Sequence, residues 1–85
     1  MAADVIMYAT RFCPYCMRAR RLLKNKGIDY QEIAVGGDNA LWSEMEQRSG
    51  RHTVPQIFIN GESVGGFDDI AALDQRGELD QLLEI

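Results

Sequence analysis

The 85-residue chain is poor in cysteine, holding only Cys13 and Cys16, and poor in histidine, with His52 alone. Those three side chains fall short of the four ligands that a structural zinc site takes, which weakens a metal-clip role unless two chains share a site. A purely structural disulfide is weaker still, because joining residues three apart closes a small loop and removes little unfolded-chain entropy. No run approaches the ~18 apolar residues of a membrane span, so no membrane association is expected. The stretch "MAADVIMYAT" has neither a basic region nor a long apolar core, so no signal peptide is expected. A cytoplasmic setting follows as the expectation, where a C-x-x-C pair is more often catalytic or metal-binding than structural. Repeats, low-complexity tracts and linkers are absent, and residues 1–85 are expected to form one domain.

Acid is missing from one stretch. Residues 11–26 carry Arg11, Arg18, Arg20, Arg21, Lys24 and Lys26 and no Asp or Glu. Three basic and thirteen acidic residues lie outside it, a balance of −10 within a chain of net charge −4. Such a segment is in part a solvated helix face. It also surrounds both cysteines with a positive field that favours thiolate and anionic partners. The acidic remainder argues against a nucleic-acid partner.

Apolar periodicity supplies the frame. "DVIMYA" (4–9) reads as a short buried strand. Pro14 suits the first position of a helix running to Lys26, with Cys16, Ala19, Leu22 and Leu23 on one side and Gly27 as its stop. "DYQEIAV" (29–35) alternates as a second strand, which makes a βαβ unit with parallel strands. After Gly36-Gly37, Asp38 or Asn39 caps a helix through Leu41, Trp42, Met45 and Arg48, closed at Ser49-Gly50, with Trp42 as a packing residue. "QIFI" (56–59) is a third strand, and Asn60-Gly61 turns it into "ESVG" (62–65) as a hairpin. "FDDIAALDQRG" (67–77) reads as a helix opened by aspartates, with Asp68 a suitable N-cap, and "ELDQLLEI" (78–85) as a last short helix. The order β-α-β-α-β-β-α, plus the short C-terminal helix, predicts an α/β fold: a four-stranded mixed sheet with helices on both faces.

The chemistry centres on Cys13 and Cys16. Three residues apart at a helix start, they share one face about 5–6 Å apart at Cβ, close to what a disulfide needs. Cys13 meets the unpaired N–H groups and the positive end of the helix dipole, which stabilise an anion and make it the expected nucleophile. Cys16, inside the first turn and more shielded, is the expected resolving thiol. Pro14 stiffens the turn between them. A thiolate activated in this way needs no general base, so His52 is not expected to take part.

"CPYC" (13–16), "TVPQIFI" (53–59) and "GGFDD" (65–69) stand in the order and spacing of glutaredoxins. The chain resembles that family, in particular its small bacterial dithiol members, over nearly its whole length. The resemblance implies a thioredoxin-like fold and a glutathione-dependent thiol–disulfide oxidoreductase acting through Cys13 and Cys16. Glutathione would be a cosubstrate, with no bound prosthetic group and no metal. Partners would be glutathionylated or disulfide-bearing proteins, ribonucleotide reductase among the candidates, and the chain would act as a monomer. Pro55 would be cis, placing Thr53 and Val54 against the cysteinyl unit of glutathione like a strand edge. Gly65 and Gly66 would let a ligand approach the backbone. The N–H groups of Phe67 and Asp68 would meet the γ-glutamyl carboxylate, with Asp68 for the backbone contact and Asp69 for charge. Thr10 stands where family members usually keep a lysine, so the glycine carboxylate would fall to Arg11, Arg51 or Gln47. Tyr15 would form a partly exposed groove wall, and Phe12 an apolar rim. A second reading is an iron–sulfur carrier built from two chains. Such members typically show "CGFS", and Pro14 speaks against it.

Overall fold

Four strands form one mixed sheet in the order β2-β1-β3-β4 in a computed structural model that describes residues 3–85. Along the chain the elements are β1 (Val5–Ala9), α1 (Pro14–Asn25), β2 (Gln31–Ala34), α2 (Asn39–Ser49), β3 (Gln56–Ile59), β4 (Glu62–Gly65), α3 (Phe67–Gln75) and α4 (Glu78–Leu83). β1 runs parallel to β2 and antiparallel to β3, and β4 is antiparallel to β3. The predicted α/β architecture is present, with its element order intact.

The central strand explains why both faces are covered. In β1, Val5, Met7 and Ala9 enter one apolar cluster, which also takes Ala19 and Leu23 of α1, Ile70 of α3, and Leu79 and Leu83 of α4. Tyr8 points the other way, into a cluster with Val35, Met45 of α2 and Phe58 of β3. This is the period-two alternation of a strand packed on both sides. Burying a Leu or Ile side chain contributes roughly 1.5–3 kcal/mol, and Leu23, Ile57, Ile70, Leu79 and Leu83 are fully buried. Tyr8 is buried with its hydroxyl satisfied: it donates to Glu44 Oε2 at 2.7 Å and accepts from Arg48. Its ring meets Phe58 edge-on at 5.5 Å. Trp42 packs against this second cluster, as expected.

Several boundaries differ from the sequence reading. β2 is only Gln31–Ala34, its register on β1 running from Ile6↔Gln31 to Ala9↔Ala34, the last residue of β1. β1 starts at Val5, since Asp4 instead exchanges hydrogen bonds with Asn60, its N–H reaching Asn60 Oδ1 at 2.9 Å. α1 stops at Asn25 with Lys26 as its C-cap, α3 stops at Gln75 with Arg76 as its C-cap, and α4 stops at Leu83. Asp38, not Asn39, caps α2, accepting from Leu41 N–H at 3.0 Å. The hairpin turn is as predicted. Asn60 and Gly61 take φ of 52° and 81°, and Ile59 pairs Glu62.

Candidate functional site

Cys13 is the N-cap residue of α1, in extended conformation, and its Sγ accepts from Cys16 N–H at 3.3 Å. It is half-buried, Cys16 is fully buried, and both are free thiols. Their acidities diverge. Burial pushes the Cys13 thiol up. The Cys16 thiol, the N–H groups of Cys16 and Tyr15, and the charge of Arg20 outweigh that and hold it below the ordinary thiol value. Cys16 is pushed up to about 11, first by burial and then by its hydrogen bond to Cys13. One thiol is thus poised to ionise and the other to keep its proton, the split the sequence predicts from the helix start.

Across from Cys13 lies the segment before β3. The Val54–Pro55 bond is cis, and the Val54 carbonyl oxygen stands 3.9 Å from Cys13 Sγ. Val54 belongs to no strand, so neither of its backbone groups is taken by the sheet ladder. Gln56 fixes this segment. Its side chain is 1% exposed, and its amide nitrogen donates to the Thr53 carbonyl at 3.0 Å and to Thr53 Oγ1 at 3.3 Å.

The start of α3 forms the opposite wall, with Gly66 rather than Asp68 as N-cap. The reason is Asp69, whose carboxylate turns back to accept from Gly66 N–H at 2.9 Å and from Arg51 Nη1 at 2.8 Å. That bond to Gly66, then Arg51, holds the Asp69 carboxyl below the usual carboxylate range. The two glycines follow from this geometry. At Gly65, with φ of 104°, a Cβ would lie 2.3 Å from Asp69 Oδ2, and at Gly66 one would lie 3.2 Å from the Pro55 carbonyl oxygen. The close approach they permit is made by the protein's own carboxylate and carbonyl. Among the described residues nothing accepts from the N–H groups of Phe67 and Asp68, and the Asp68 carboxylate has no ion-pair partner.

Between these walls runs a groove of about 380 Å³, lined by Tyr15, Arg51, Thr53, Val54, Pro55, Gln56, Gly66, Phe67, Asp68 and Asp69. Segments from three parts of the chain thus meet beside Cys13. Two sequence candidates stand apart. Arg11 is exposed with its guanidinium over the Phe12 ring at 5.2 Å, and Gln47 is exposed on α2; neither lines the groove. Phe12 projects outward, 85% exposed, and Tyr15 is half-exposed.

Gln56 escaped the sequence reading, and Arg20 entered it only as one of six cations around the cysteine pair. Gln56 announces itself only as the polar member of an apolar strand. Arg20 follows Cys16 by one helical turn; it pairs with Glu32 through two nitrogens at 2.8 Å and also bonds the Thr10 carbonyl at 2.9 Å. It ties α1 to β2 and to the loop entering the cysteine pair, with its charge beside both thiols. No local pattern links Arg20 to Glu32, which the parallel pairing brings together.

Comparison with known proteins bears on all of this. Residues 5–64 match the glutaredoxin family model. The chain is 52% identical over 82 residues to glutaredoxin 3 of Escherichia coli K12, covering 96% of this chain and 99% of that one. It is 51% identical over 79 residues to a glutaredoxin of Pseudomonas aeruginosa, covering 93% and 94%. Among solved structures, Brucella melitensis glutaredoxin superposes with a TM-score of 0.85 at 50% identity, over 96% of this chain and 89% of that one. The buckwheat glutaredoxin–glutathione complex superposes with a TM-score of 0.88 at 28% identity, over 96% and 77%.

Proposed function

The chain belongs to the glutaredoxin family of thiol redox proteins, and on that premise we propose that it reduces glutathione mixed disulfides and protein disulfides with glutathione as cosubstrate. The observation that carries the reading is the placement of Cys13 Sγ at a helix start, 3.9 Å from the Val54 carbonyl and beside the groove.

Glutathione would enter as an extended tripeptide. Its cysteinyl unit would pair with the backbone of Val54. Its γ-glutamyl carboxylate would meet the free N–H groups of Phe67 and Asp68 at the start of α3. Asp69 is already paired with Arg51, so the unpaired Asp68 carboxylate is the better placed acid for the glutamyl ammonium. Arg51 lines the groove, whereas Arg11 and Gln47 do not, so Arg51, shared with Asp69, would be the cation for the glycine carboxylate. Thr53 and Gln56 hold the Val54 segment in place.

Cys13 thiolate attacks the glutathione sulfur of a protein–glutathione disulfide. The Cys13–glutathione bond forms, the protein–glutathione bond breaks, and the protein thiolate leaves and takes up a proton. A second glutathione, as thiolate, attacks the glutathione sulfur bound to Cys13, giving glutathione disulfide and regenerated Cys13 thiolate. With a protein disulfide, Cys13 forms a mixed disulfide with the substrate. Cys16 then loses its proton and attacks Cys13 Sγ, releasing the reduced protein and leaving a Cys13–Cys16 disulfide for glutathione to reduce. Exchange rates follow thiolate fraction, leaving-group acidity and access, which the split between the two thiols serves. The cytoplasm, with its glutathione pool, is the setting this reading requires.

The test is a coupled assay on the mixed disulfide of glutathione and 2-mercaptoethanol. Turnover is expected with glutathione as reductant and to fall sharply when cysteine replaces it. Equal rates with both thiols would contradict a glutathione-selecting groove.

A further inference from the structure

A second groove of about 360 Å³ lies between α1 and α3. It adjoins the first, with Phe67 lining both. Leu22, Phe67 and Ala71 give it an apolar lining, and Arg18 and Arg21 line it as well. Its one acidic lining residue, Asp74, is taken up by Lys26. Arg18, which does not line the first groove, lies 5.3 Å from the centroid of the Tyr15 ring.

Arg20, Lys26, Arg51 and Arg76 each have a carboxylate partner. Arg18 and Arg21 have none among the described residues, although the chain holds thirteen acids. Among the described residues Arg11, Lys24 and Arg48 also lack a carboxylate partner, but of the unpaired cations only Arg18 and Arg21 line this groove. Two unpaired guanidinium groups beside an apolar floor suit a chain carrying carboxylates, since Arg presents a planar fork to that group.

We propose that this groove receives the polypeptide half of a mixed disulfide and favours substrates with an acidic residue near the reacting cysteine. The proposal rests on the glutathione-dependent exchange above: the first groove holds the tripeptide, and the protein whose sulfur leaves needs a seat of its own. Reach supports it. Arg18 and Arg21 follow Cys13 by five and eight residues, which is about 7.5 and 12 Å along a helix axis. An extended chain covers that distance in about two to four residues, so the acid belongs that far from the substrate cysteine.

Two peptides test this, each glutathionylated on one cysteine and differing only two to four residues away, Asp-Glu in one and Asn-Gln in the other. The unaltered protein is expected to prefer the acidic peptide in kcat/KM by about threefold or more at low ionic strength, with the preference fading as salt is added. Arg18→Gln and Arg21→Gln are each expected to reduce the preference. Lys24→Gln, which removes a cation of the same helix outside this groove, is expected to keep it. All three variants should turn over the small glutathione–mercaptoethanol disulfide like the unaltered protein. Preference surviving both arginine changes, or lost equally in Lys24→Gln, would overturn the groove as the seat. Absence of any preference in a protein that turns over the small disulfide would overturn the docking proposal alone. Failure on the small disulfide would remove the redox reading and this proposal together.

Discussion

Helices α1 and α3 both start on the same groove, and their starts are finished with different chemistry. At α1 the capping atom is the sulfur of Cys13, which accepts from Cys16 N–H at 3.3 Å. At α3 the first N–H, that of Gly66, is met by Asp69 at 2.9 Å, and the same carboxylate holds Arg51. A carboxylate stays ionised across the physiological range and makes a fixed cap. A thiol can gain or lose its proton near that range, so the same capping position doubles as a reactive group. One start is closed at its Gly66 N–H by the protein's own charge, with the Phe67 and Asp68 N–H groups left free, and builds a wall. The other is left chemically open, and the fold places Val54 across from it.

The sharpest way to break this comparison is to remove the sulfur. Cys13→Ser is expected to bring turnover of a glutathione mixed disulfide down to background, while Cys16→Ser keeps it, as read in the coupled assay. Equal loss in both variants would mean that the two positions are not divided as described. Next in size is the closed start. Gly65→Ala puts a Cβ within 2.3 Å of Asp69 at a φ of 104°, with an expected cost of about 2–4 kcal/mol in urea unfolding. An unchanged midpoint would show that Asp69 need not sit where it does.

Arg20 joins stability to reactivity, so its loss should register twice. Arg20→Gln is expected to cost about 1–2 kcal/mol, since the Glu32 pair and a charged hydrogen bond to Thr10 go together. It is also expected to move the pH profile of Cys13 alkylation upward, because one of the groups holding that thiol down is gone. The smallest effect belongs to Asp69→Asn, which keeps an acceptor and loses the charge. The Gly66 N–H and then Arg51 hold the folded-state pKa of Asp69 below its ordinary value of 3.8. The charge therefore stabilises the fold above that unfolded value and stops doing so as pH falls through the folded one. At neutral pH the unaltered protein should exceed the variant by up to about 1 kcal/mol, given the exposure of the pair. Urea unfolding at pH 7 and below pH 3 should show that margin shrink; a margin that grew in acid would contradict the assignment.

Much of the frame was legible because it is local. Alternation in "DVIMYA", the Pro14 and Gly27 brackets of α1 and the Asn60-Gly61 turn each act over a few residues, so the sequence carries them openly. The division between Cys13 and Cys16 was legible for the same reason: it follows from their positions relative to one helix start. What could not be read are pairings across long stretches of chain. Asp69 reaches Arg51 eighteen residues away, and this decides which aspartate caps α3 and which stays free. Arg20 finds Glu32 only because β1 and β2 run parallel. Gln56 looks like a polar interruption of an apolar strand until Thr53 folds against it. The outward course of Arg11, stacked on Phe12, likewise depends on where the loop carries it.

The difference between the two thiols is the claim on which the rest depends, and alkylation of the reduced protein tests it most directly. Iodoacetamide labelling across pH, read residue by residue by mass spectrometry, is expected to show Cys13 half-reactive below the ordinary thiol value and Cys16 resisting until pH approaches about 11. Parallel profiles for the two residues, or earlier labelling of Cys16, would contradict the account.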